Sequence, residues 1–75
     1  MRLNYEINVG TSFRNIRIKN KMSQEKVTEL AHIDPKHYGR IERNLCYPKL
    51  DTFIDICKAL KISPIDFFKN NLISI

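Results

Sequence analysis

Lys36 and Arg40 stand four residues apart, the spacing that brings two side chains onto one face of a helix. Both are donors suited to guanine O6 and N7 at the edge of a duplex groove. Exposed cations at this spacing also occur on ordinary solvated helix faces, so the pair takes its meaning from the element that carries it. Gln24 directly follows Ser23, a helix-capping residue type. A helix start offers free N–H groups and a favourable dipole to an anion such as phosphate, against the blander alternative that Gln24 merely faces solvent.

Other reaction chemistry finds little support. The chain has no nucleophile–base pair, no paired-carboxylate site, no Gly-rich phosphate loop and no metal-ligand spacing. His32 and His37 are five apart, hence about 140° apart on a helix, and cannot share a ligand face. Cys46 and Cys57 form no CxxC. Cys57 falls on an apolar stripe and reads as a small core residue. Cys46 lies in a loop, where oxidant sensing competes with a plain structural role. The expectation is a non-enzyme with no metal, no cofactor and no small-molecule ligand.

Composition narrows the partners. The 75 residues carry 13 Lys and Arg against 8 Asp and Glu, a net charge of +5, and the pI is about 9.5. Such a field attracts polyanions, nucleic acid first and acidic lipid second, although charge alone also describes a soluble protein that happens to be basic. The 43% apolar content suits one small globular domain spanning residues 1–75, with room for a core but not for a deep pocket. Residues 1–10 mix charge and polarity without an apolar stretch, and no apolar run approaches the roughly 18 residues of a membrane span. A cytoplasmic protein with reduced thiols is expected.

The positioning elements are all helical. Val9, Phe13 and Ile16 share one face of a first helix, about 5–20, which Asn20-Lys21 would stop. Ser23 caps a second over 24–31, and Met22 is placed to staple to Val27. Asp34-Pro35 pairs a cap with a proline at the first helical position, opening a third helix over 35–43. Helices two and three, joined by so tight a turn, must cross steeply. Tyr47-Pro48 breaks the chain before a fourth helix over 50–60, in which Leu50, Phe53, Ile54, Cys57 and Leu60 recur with helical period. Ser63-Pro64 opens a fifth over 64–70. The fold class is therefore all-α, five short helices in one compact domain.

In this order and spacing the pieces resemble the phage-repressor-like (Xre/Cro type) helix-turn-helix family. The residues that carry the resemblance are Ile16-Arg17, Met22-Ser23-Gln24-Glu25, Ala31, Ile33-Asp34, Arg40-Ile41-Glu42-Arg43-Asn44, Pro48-Lys49-Leu50 and Ile56 to Ser63. Together they cover about residues 9–68. The Glu-Arg-Asn ending of helix three and Phe67-Phe68 are also similar to controller proteins of restriction–modification systems. The family favours Gly where Lys21 and His32 stand, which places both at positive φ. It favours Ala where Thr28 stands, so the Thr28 hydroxyl should bond a helix carbonyl. Its often basic loop reads Leu45-Cys46-Tyr47 here.

The resemblance implies a lambda-repressor-like domain that binds double-stranded DNA and regulates transcription, as a repressor or autoregulatory controller. Helix three would read the major groove through Asp34, Pro35, Lys36 and Arg40, with Asp34 engaged as a cap and Pro35 limited to apolar contact. Ser23, Gln24, His37, Arg43 and Lys49 would serve the backbone phosphates, and an Arg17–Glu42 salt bridge would orient helix three. Tyr38 is expected to turn its ring against helix two. Two half-sites one helical turn apart call for a homodimer on a palindromic operator. The surplus apolar residues Phe67, Phe68, Leu72 and Ile73 are assigned to its interface, against the alternative that Phe67 or Phe68 closes the monomer core. The rival function is a protein-interaction module, such as an antitoxin or a phage or mobile-element accessory factor. A membrane-surface role comes third.

Overall fold

Among the described residues, three helices begin on a side-chain cap. The Ser23 hydroxyl accepts from Lys26 N at 3.0 Å, the Asp34 carboxylate from His37 N at 3.1 Å, and the Ser63 hydroxyl from Asp66 N at 3.1 Å. Each cap satisfies one backbone donor that the first helical turn leaves without a partner. The computed structural model describes residues 9–71, and over these the elements are α1 Val9–Lys19, α2 Gln24–Ala31, α3 Pro35–Glu42, α4 Leu50–Ala59 and α5 Pro64–Asn71. The part of the first helix expected before Val9 lies outside the described residues. Elsewhere the expected bounds shift by a single residue, because Arg43 and Leu60 are caps rather than helical members.

Four helix ends share one device. Lys21, His32, Asn44 and Lys61 all adopt left-handed backbone, with φ of 58°, 58°, 60° and 60°. In each case the following N–H reaches back five residues: Met22 to Arg17 O, Ile33 to Thr28 O, Leu45 to Arg40 O and Ile62 to Cys57 O. This is the Schellman ending, which glycine normally closes. The positive φ expected of Lys21 and His32 is present, and the motif recurs twice more. An L-residue there costs about 1 kcal/mol. His32→Gly is therefore expected to raise stability by up to about 1 kcal/mol, read as a higher midpoint in thermal melting.

The apolar stripes meet in one core. Phe13, Val27, Tyr38, Ile41, Ile56, Cys57, Leu60 and Phe67 are all fully buried. α1 packs on α3, α2 on both α3 and α4, and α5 on α4. Burial pushes the Cys57 thiol up to about 11, consistent with an inert core residue. Thr28 is buried, and its hydroxyl donates to Glu25 O at 2.9 Å, the helix-carbonyl bond expected of it.

Phe67 corrects one expectation. Assigned to a dimer interface, it lies instead in the core, its ring 4.8 Å from that of Phe13 and 5.2 Å from that of Phe53. The rotation of α5 that seats Phe67 leaves its neighbour Phe68 exposed against Phe53. Leu72 and Ile73 lie outside the described residues.

The start of α1 is held by a contact across the fold. Gly10 N donates to Asn44 Oδ1 at 3.1 Å, and Asn44 Nδ2 donates to the Thr11 hydroxyl at 2.9 Å. At Gly10 the helix passes so close to α3 that a Cβ would fall inside the Ile41 carbonyl oxygen. Here glycine is required by space rather than by φ.

Candidate nucleic-acid interface

The caps of α2 and α3 fix the positions of Gln24, Lys36 and Arg40. Ser23 is in extended backbone with ψ 161°, which aims the first turn of α2 outward. Asp34 does the same for α3, with Pro35 at the first helical position. Pro35, Lys36 and Arg40 are exposed, while His37 is half-buried. Neither Lys36 nor Arg40 pairs with a carboxylate among the described residues, so both ammonium and guanidinium donors face solvent.

Behind this face lies a buried ion pair. Arg17 Nε donates to Glu42 Oε2 at 2.6 Å, and Arg17 Nη2 to Glu42 Oε1 at 3.2 Å, a two-point pairing. Arg17 Nη1 also donates to Met22 O at 2.8 Å, in the turn before α2. The Glu42 side chain is 1% exposed and that of Arg17 12%. The salt bridge implied by the family resemblance is thus present, and it joins α1, the α1–α2 turn and the end of α3.

A third donor completes the cluster. Gln24 Nε2 donates to Glu42 Oε1 at 2.9 Å, a link the sequence did not suggest. It holds the amide at the start of α2 against the end of α3. Burial works to raise the Glu42 carboxyl, but hydrogen bonds led by Arg17 outweigh it and hold the group below its ordinary range. Tyr38 is buried as expected. Its hydroxyl lies within electrostatic reach of Glu42 but makes no hydrogen bond of standard geometry, and burial first, Glu42 second, pushes the phenol far up.

The remaining candidates are spread around the same face. Arg43 caps α3 and is exposed, with its Nη1 lying over Gly39, 3.3 Å from where a Cβ would stand. Gly39 is thus the floor beneath the Arg43 guanidinium, with Gln24 Oε1 3.9 Å from the same point. Lys49 is the exposed N-cap residue of α4 and makes no side-chain cap bond, since its ammonium can only donate. Cys46 Sγ lies 4.0 Å from His37 Nδ1, beside the exposed face of α3. Among the described residues, no group of three or more His, Cys, Asp or Glu is placed to hold a metal, and no helix is long and apolar enough to cross a membrane.

Sequence reasoning missed Gly10, Asn44 and the Gln24–Glu42 bond. Only Asn44 carried a local signal, since Asn after a helix tolerates left-handed backbone. The other two are long-range contacts.

Two short helices crossing at a tight turn, with the first capped and the second exposed, define a helix-turn-helix protein. The sequence matches the Helix-turn-helix domain family over residues 10–73, and the chain belongs to that family. Its fold is similar to that of the restriction–modification controller protein C.Esp1396I, solved as a tetramer with its natural 35 base-pair operator. That match has a TM-score of 0.82 and 26% identity over 88% of this chain and 87% of the other. The controller protein C.AhdI from Aeromonas hydrophila matches with a TM-score of 0.78 and 27% identity over 84% and 96% of the two chains. The clp gene regulator ClgR from Corynebacterium glutamicum shares the fold, with a TM-score of 0.82 at 18% identity over 89% and 71%. A search of curated proteins found no match.

Proposed function

We propose that this protein is a cytoplasmic, sequence-specific binder of double-stranded DNA that acts as a homodimeric transcriptional regulator, a repressor or autoregulatory controller. The observation that carries the reading is the exposed Lys36–Arg40 face of α3, without a carboxylate partner among the described residues, beside the anchored Gln24 at the start of α2. A capped helix start, an oriented amide and two cations with no carboxylate partner among the described residues suit a duplex edge. The operator-bound similar structure supports the reading.

Lys36 and Arg40 read guanines in the major groove, and Pro35 offers apolar contact to a thymine methyl. Ser23, Gln24, His37, Arg43 and Lys49 serve the phosphates, which position the protein without specifying sequence. A second copy covers the apolar groove lined by Val9, Tyr47, Leu50 and Phe68, with Leu72 and Ile73 following on from α5. Leu50 is 72% exposed and Tyr47 59%, an apolar surface that two-fold pairing would remove from water. The operator is then a palindrome with half-sites one helical turn apart.

The test is selection of bound duplexes from a random pool, followed by titration at several salt concentrations. Log K should fall steeply and linearly with log salt; a flat response would overturn the reading. Lys36→Ala and Arg40→Ala should each weaken binding to the selected site by about tenfold to a hundredfold, at about 1–3 kcal/mol per lost base contact. The double variant also separates this reading from an antitoxin or accessory factor, because it would leave a protein complex intact.

A further inference from the structure

The end of α1 remote from the apolar groove carries a different surface. Lys21, Lys26 and Lys61 line one shallow groove of about 570 Å³, together with Ser23 and the stem of Leu30. They come from three separate elements: the α1–α2 turn, the first turn of α2 and the α4–α5 turn. A neighbouring groove shares Lys61 and adds Lys19. Among the described residues, no carboxylate lines either one.

Helix electrostatics accounts for part of this arrangement only. Lys21 and Lys61 follow the ends of α1 and α4, where a cation offsets the dipole, but Lys19 and Lys58 already occupy the last turns of those helices. Lys26 stands in the first turn of α2, at the end where the dipole disfavours a cation. Its one acidic partner among the described residues is Glu29 at 3.5 Å, in a pair exposed on both sides. An anion lying along the groove would offset all three charges at once.

We infer that this lysine groove binds the DNA backbone beyond the operator half-site, extending the contact outward from the start of α2. The inference rests on the DNA-binding reading above. Continuity supplies the occupant: Ser23 belongs both to the cap that presents α2 to phosphate and to the wall of the groove. Polarity supplies the direction. The apolar groove lies at the Val9 end of α1 and the lysine groove at the Asn20 end, about 16 Å apart for an 11-residue helix. Copies joined at the first end turn the second away from the dyad, toward flanking duplex. The contact is to phosphate, so it adds affinity and salt dependence without sequence preference.

The test compares the selected duplex with the same duplex extended by about ten base pairs on each side, one further helical turn. Wild-type protein should bind the longer duplex about tenfold more tightly and with a steeper salt slope. In Lys21→Gly/Lys61→Gly the advantage should vanish while affinity for the short duplex stays within about twofold. Glycine suits the left-handed backbone at both positions, so this variant should melt no lower than wild type. A charge-matched control, Arg14→Gln/Lys69→Gln, should keep the advantage. Equal affinity of wild type for both lengths, an advantage that survives in the glycine variant, or its equal loss in the control would each overturn the inference. Failure of wild type to bind either duplex would instead overturn the DNA-binding reading itself.

Discussion

Arg17→Ala is expected to destabilise the fold by about 3–5 kcal/mol, because it strands a buried carboxylate. Glu42 is 1% exposed, and Arg17 supplies two of the three strong hydrogen bonds it accepts. The lost guanidinium also leaves Met22 O without its donor in the α1–α2 turn. A domain of this size has a total stability of about 0.05–0.15 kcal/mol per residue, so the loss approaches the whole. Arg14→Ala, three residues earlier on the exposed face of α1, should change stability by no more than about 0.5 kcal/mol. Urea denaturation of both variants provides the comparison, and equal effects would remove the ion pair from its assigned role.

The same pair fixes a pH dependence. Glu42 is held below its ordinary range in the folded state, so its contribution is fully present above the unfolded carboxylate pKa and is lost as pH falls through the lower folded value. In Arg17→Ala the main opposing hydrogen bonds are gone, and burial dominates and favours the neutral acid. Acidification should therefore erode the wild type at Glu42 while relieving the variant. The stability gap between them should narrow from pH 7 toward pH 4. A gap that widened would place the charge elsewhere.

Gly10→Ala is expected to cost about 3 kcal/mol or more, the upper range for overpacking, against the helix propensity that favours Ala by about 1 kcal/mol. The added Cβ would meet the Ile41 carbonyl oxygen, which belongs to α3 and cannot rotate aside as a side chain can. The helices must part, and with them the Gly10–Asn44 bond. Thermal melting should show a fall of roughly 10–20 °C, at about 4–8 °C per kcal/mol for a domain of this length. An unchanged midpoint would mean that α1 and α3 are not packed this closely.

The contrast between these sites explains what the sequence could show. Caps and apolar periods are local chemistry, so Ser23, Asp34-Pro35, the stripe from Leu50 to Leu60 and Ser63-Pro64 located four helices within a residue or so. The exposed placement of Lys36 and Arg40 on α3 was legible because cap and spacing together set their face. Gly10 meets Ile41 and Asn44 across more than thirty residues, and nothing near Gly10 announces that meeting. Phe67 and Phe68 are identical neighbours. Which one turns inward depends on the rotation of α5 against Phe13 and Phe53, a property of the assembled core. The Gln24–Glu42 bond was hidden for a related reason, since the crossing of α2 and α3 brings together residues eighteen apart.

The Glu42 carboxylate accepts from Arg17 at both oxygens and from Gln24 at Oε1, so the ion pair that joins the helices and the amide at the start of α2 depend on one group. Neither property can drift under mutation without dragging the other. Across many descendants of this sequence, changes at position 42 should appear together with changes at 17 and 24. Lys36 and Arg40, which have no carboxylate partner among the described residues, stay free to diversify. On the proposed reading, new operator preferences then arise within one unchanged scaffold.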